Sequence, residues 1–152
     1  MNFSFYSKEI EFIGELIYIR NEYALSYKPF CTNVNAGILF GAGVELNVIR
    51  ETNEIVHISG FNPMNTWVDK IISPPKAKKG CLLINLKSPL LKGECIEYDT
   101  SCLTYYDKEK QYICIGDYDT NVNDDCVEFA NNIIAVLRDG AIIAVWAKIR
   151  EV

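Results

Sequence analysis

The sequence is poor in the residues that chemistry most often needs. A single histidine, His57, stands among 152 residues, leaving little room for a triad and no second imidazole for a histidine-rich metal site. None of the six cysteines forms a C-x-x-C pair, and His57 follows none of them at zinc-finger distance. The glycines Gly41 and Gly43 in GAG lack the third glycine and the following helix of a dinucleotide fingerprint. No repeat and no low-complexity tract is visible. Long apolar runs are missing too: IIAVLRDGAIIAVW is broken by Arg138 and Asp139, so it does not read as a membrane span. The opening MNFSFYSKEIEF carries Lys8, Glu9 and Glu11 where a secretory segment would be apolar. The expectation is a cytoplasmic protein whose cysteines are reduced, mostly buried thiols.

A surplus of positive charge is also lacking. The chain has 15 Lys/Arg against 20 Asp/Glu, a net charge of −5, which speaks against direct binding to nucleic acid. The imbalance is localised. Residues 1–92 hold 10 basic and 8 acidic side chains, whereas residues 93–152 hold 5 and 12. The C-terminal part therefore carries −7, and such asymmetry points to the charge of a partner.

What is present is alternation. With 49% hydrophobic and 23% charged residues, the chain has the composition of one folded domain, 1–152. VELNVIR and EIVHISG, joined by ETNE, read as a β-hairpin with Val44, Leu46, Val48, Val56 and Ile58 inward. CLTYY and QYICIG, joined by DKEK, read as a second, with Leu103 and Tyr105 facing Ile113 and Ile115. NIIAVL and AIIAVWAKI form a third across Asp139-Gly140, a strong hairpin cue. EIEFIG and ELIYIR are expected as strands. NTWVDKII fits a short helix capped by Asn65. DDCVEFANNIIAVL fits a helix capped by Asp124 or Asp125 as well as a strand, its second half being expected as strand because it runs into the Asp-Gly turn. SPPKAKKG reads as a solvated basic loop. The fold class is all-β: an antiparallel β-sandwich or partly open barrel with at most one or two short helices.

Residues 102–126 hold six acids and four tyrosines. From Asp117, oxygen ligands fall at the first, third, fifth, ninth and twelfth positions of a calcium loop (Asp117, Asp119, Asn121, Asp125 and Glu128). Val122 stands where the sharp turn needs glycine, and Asp124 stands where an aliphatic residue is usual. An Asx-rich connection accounts for the segment better. His57 on a strand reads as structural, and no carboxylate pair is identifiable as catalytic. No catalytic residue, metal ligand or cofactor is expected.

Tyrosine gives large contact area at low entropic cost, and carboxylates steer and pair with basic partners. Glu97, Tyr98, Asp99, Tyr105, Tyr106, Asp107, Asp117, Tyr118, Asp119, Asp124 and Asp125 are therefore expected to form one acidic, aromatic binding surface. The small, acidic, β-rich chain, with its segments ECIEYDTSCLTYYD and GDYDTNVNDD, resembles the immunity proteins of bacterial toxin systems, above all those of contact-dependent growth inhibition. The resemblance implies a non-enzymatic inhibitor that occludes a cognate basic toxin domain, such as a ribonuclease or other nuclease, and it transfers no individual residue. The alternative expectation is a small β-barrel or sandwich module that binds a ligand or a calcium ion.

Overall fold

A computed structural model describes residues 1–99 and 101–152. It is all-β, as the alternation requires. Fourteen strands are present: β1 (Asn2–Ser7), β2 (Glu15–Ile19), β3 (Ala24–Lys28), β4 (Ala36–Phe40), β5 (Val44–Ile49), β6 (Glu54–Phe61), β7 (Val68–Asp69), β8 (Lys78–Asn85), β9 (Cys95–Asp99), β10 (Thr104–Asp107), β11 (Tyr112–Gly116), β12 (Asp125–Ala130), β13 (Ile133–Arg138) and β14 (Ala141–Glu151). Helical structure among the described residues is limited to two 3-10 turns, at Arg20–Glu22 and Met64–Thr66.

The main path runs β1-β8-β12-β13-β14-β2-β3-β6-β5-β4-β9, with β11, β10 and β7 branching from β14. A further β8–β6 pairing returns the path to β8, so the sheet closes on itself in a barrel-like sandwich. Most pairs are antiparallel. Four are parallel: β7–β10, β8–β12, β2–β14 and β4–β9. The antiparallel architecture expected from the hairpins is thus part of a mixed sheet.

The three expected hairpins are present. In the third, Asp139 and Gly140 both take positive φ, 53° and 79°, the paired left-handed geometry that suits a tight hairpin. In the first, Val44, Leu46, Val48 and Ile58 enter the main core beside Tyr18, Phe40 and Leu82, whereas Val56 is buried outside that cluster and Ile55 joins it instead, opposite Val48 past the register shift at Asn47. The second differs in register. Tyr105 pairs with Cys114 and Tyr106 with Ile113, so Tyr106, not Leu103 or Tyr105, joins Ile113 and Ile115 in the core. A one-residue slip exchanges the two faces of a strand. After Asp124, which precedes β12, the segment to 137 is strand on both sides of an Asn131-Asn132 turn, with no helix.

Two expected elements are absent. EIEFIG does not join a ladder. The Tyr27 hydroxyl donates to the Phe12 carbonyl and accepts the Gly14 amide, and a side chain at Gly14 would overlap the Lys28 carbonyl. NTWVDKII contains only the last two residues of the Met64–Thr66 turn, because the Trp67 indole donates to Asn62 Oδ1 and the chain then extends to pair β7 with β10. SPPKAKKG is loop only as far as Ala77; Lys78 and Lys79 begin β8 and stay exposed.

A second, smaller apolar cluster lies on the other face of β11, β13 and β14, around Trp146, Cys114, Ile134 and Val136, with Ile72 from the 70–77 loop against it. Asp107 anchors that loop. Its carboxylate accepts the Ile72 and Lys110 amides, both at 3.1 Å, and the Lys110 amide foremost holds its pKa below the ordinary range. All six cysteines are free. Cys81 and Cys114 are buried, but Cys95 is exposed on β9, contrary to the expectation of mostly buried thiols.

Tyr18 ties the 62–67 turn to the core. Its hydroxyl donates to the Asn62 carbonyl at 2.9 Å and accepts the Met64 amide at 2.8 Å. Tyr18→Phe leaves both backbone groups unpaired, at an expected cost of about 1–3 kcal/mol. Urea denaturation of the two proteins measures it, and equal midpoints would contradict the assignment.

Candidate functional site

The acidic segment is organised around one cation. Arg138, the sole basic residue between Lys110 and Lys148, ends β13. Its Nε and Nη2 each donate at 2.8 Å to the Asp124 carboxylate, Nη1 lies 3.5 Å from Asp117, and Nη2 donates to the Asp119 carbonyl. Asp117 also accepts the Asp119 amide, and Asp124 accepts the Asn121 amide. These are Asx-type connections. The Arg138 hydrogen bonds hold the Asp124 pKa below the ordinary range. Two of the five calcium-loop oxygens are engaged elsewhere: Asp117 pairs with Arg138, and Glu128, at the twelfth position, accepts the Asn132 amide at 2.8 Å. A lone cation inside an acidic stretch is a natural counter-ion, and Arg138 was legible on that ground.

Beside this loop is an open groove of about 710 Å³, where β9, the start of β10, the end of β11 and the start of β14 converge. Tyr98, Asp99, Tyr105 and Asp117 line it, and so do Leu103 and Ile143. Tyr98 forms part of its base. The phenol donates to the Ile142 carbonyl at 3.1 Å, and the ring packs edge-on against Phe3. Tyr118 meets Tyr105 edge-on at 4.7 Å, with the Lys70 ammonium 4.6 Å from the Tyr118 ring centre. Leu103, 54% exposed, is the most exposed aliphatic side chain lining the groove. Its exposure follows from the register that turned Tyr106 inward.

The eleven expected residues therefore divide. Tyr98, Asp99, Tyr105 and Asp117 share the groove, Tyr118 adjoins it through Tyr105, and Asp119 follows as an exposed acid. Asp125 is exposed at the start of β12, and Glu97 is exposed on β9, which pairs on one edge only, with β4. Asp124 is exhausted by Arg138. Tyr106 and Asp107 are buried and do not belong to a surface. Tyr106 donates to Glu151 at 3.0 Å, and burial, with that carboxylate adding, pushes its pKa up to about 12. Asp107 serves the 70–77 loop.

His57 is fully buried, as a structural histidine should be. Its Nε2 accepts the Cys31 amide at 3.1 Å, which leaves Nδ1 to donate to Asn47 Oδ1 at 2.8 Å, while Tyr27 stacks on the ring. No described helix is long and apolar enough to cross a membrane. Comparison with known proteins adds no family: no family model matches the sequence, and no curated protein matches it.

Proposed function

We propose that the protein is a non-enzymatic inhibitor of the immunity-protein kind, acting in the cytoplasm on a basic toxin domain. The feature that supports this reading is the groove rimmed by Asp99, Asp117, Tyr105 and Leu103, set in the part of the chain that carries −7. An apolar rim with flanking carboxylates and tyrosines combines an anchor with electrostatic steering. The occupant is a cationic protein surface, because the Asp99 carboxylate, which accepts only the Ser101 amide and hydroxyl, and that of Asp119 meet no arginine or lysine within 4.0 Å among the described residues. A nuclease, whose substrate groove is basic, has the complementary charge.

Co-expression with the product of the adjacent gene, followed by association kinetics, tests the proposal. The association rate is expected to fall about tenfold or more between roughly 50 and 500 mM salt. Asp99→Lys with Asp119→Lys should lower it further while the protein stays folded, the melting temperature falling only by what the exposed bonds from Ser101 to Asp99 contribute. Both residues are chosen because neither carboxylate is needed by Arg138. Failure to co-purify, or binding indifferent to salt and to the reversals, overturns the proposal.

A further inference from the structure

A second groove, about 420 Å³, lies on the outward face of β5 and β6, walled by the 30–35 loop and by the turn before β9. Glu45 and Ser59 are cross-strand partners in its floor, Asn47 lies beside them, and Phe30 and Lys92 stand at its margin. Glu45 is half-buried, yet its carboxylate makes no hydrogen bond among the described residues. No lysine or arginine nitrogen lies within 4.0 Å of it, Lys92 included. Its side chain lies across Gly37, where any Cβ would overlap the carboxylate. Burial alone raises its pKa. A carboxylate that loses water without gaining a partner is unfavourable unless a ligand supplies the partner.

Asn47 carries the second half of the observation. It is 2% exposed, and its Oδ1 is committed to the His57 Nδ1–H. The amide orientation is therefore fixed, and Nδ2 remains a donor without an acceptor among the described residues. Glu45 and Asn47, two apart on β5, share a face, and Gly37, over which the Glu45 carboxylate lies, is the cross-strand partner of Asn47. The groove thus offers an unpaired anion and an unpaired donor on one face, the two groups that the charged head and the backbone carbonyl of a lysine or arginine residue would satisfy.

We propose that this groove binds a lysine or arginine side chain of a protein, with its cationic head on Glu45 and a carbonyl of the same residue on Asn47. The site uses none of the residues assigned to the inhibitor surface. Its test needs no toxin, so either proposal can fail alone.

The test is amide chemical-shift titration of the ¹⁵N-labelled protein with N-acetyl-lysinamide, N-acetyl-argininamide, neutral N-acetyl-norleucinamide and bare butylammonium. The two cationic amides should give saturable shifts at Gly37, Glu45, Asn47 and Ser59 with millimolar affinity, and the norleucine analogue none. Butylammonium, which carries no carbonyl, should bind several-fold more weakly. Glu45→Gln should reduce affinity at least tenfold while leaving the melting temperature equal or higher, because it removes an uncompensated charge. Gly37→Ala should weaken binding by displacing the carboxylate. Absence of saturation to about 100 mM, equal binding by norleucinamide, or undiminished binding to a folded Glu45→Gln protein would overturn the site. Equal binding by butylammonium would overturn the assignment to a protein side chain.

Discussion

Trp146→Ala is expected to be among the most destabilising single substitutions in the chain, at about 3–5 kcal/mol. The indole is 1% exposed and occupies the centre of the smaller cluster, between Cys114, Ile134 and Ala144, on the face covered by the 70–77 loop. Its removal leaves a cavity under a loop that is fastened at Asp107 and therefore cannot simply collapse into the space. Trp146→Phe should behave differently. The indole Nε1 is buried and finds no hydrogen-bond partner among the described residues, a liability of about 1–3 kcal/mol in itself. Phenylalanine loses ring volume but also deletes the unsatisfied donor, so the two effects oppose each other. The expected net cost is below about 1 kcal/mol. Urea midpoints of the three proteins check both statements. A Phe variant as unstable as the Ala variant would show that the indole N–H has a partner after all.

Local cues made three hairpins legible, and long-range ones left the rest of the sheet hidden. The Asp139-Gly140 turn and the alternation about residues 50–53 announce β13–β14 and β5–β6 because turn chemistry and strand period both lie within a few residues. The four parallel pairings join strands such as β2 and β14, at opposite ends of the chain, and no turn records them. The Leu103–Tyr106 register was out of reach for a related reason. Apolar or amphipathic residues occupy both faces of that strand, so the period-two pattern does not choose between them. The candidate site was half legible. Acidic and aromatic clustering pointed to the correct region, since Tyr98, Asp99, Tyr105 and Asp117 do meet in one groove. Composition does not say which acids are already paired, so Asp124 and Asp107 could not be separated from Asp99 and Asp119. Glu45 gave no cue at all: its isolation depends on Gly37 across the strand pair and on Asn47 being oriented by His57, neither of which is a local property.

Acid should weaken the fold through His57 well before the carboxylates contribute. Burial drives its pKa from 6.5 down to about 4. No charged side chain takes part: its hydrogen-bond partners are Asn47 and the Cys31 amide, and its ring neighbours are Phe12, Tyr27 and Phe30. The unfolded chain binds a proton as pH falls through 6.5, while the folded chain does not until about 4. Stability is therefore complete above 6.5 and is lost progressively between 6.5 and 4, by up to roughly 3 kcal/mol. The depressed carboxylates add their own losses lower down, Glu15 and Glu51 as pH falls below 4.5 and Asp107 and Asp124 as it falls below 3.8. Protonation is disfavoured structurally as well, because Nε2 would turn from an acceptor into a donor facing the Cys31 N–H. His57→Gln removes the titration. Denaturation free energies measured from about pH 5 to 7, above the unfolded glutamate range, should slope for the natural protein and stay nearly flat for the variant, even if the variant is less stable at every pH. Parallel curves would mean that the imidazole is already protonated inside the fold, and that the Cys31 amide is not its partner.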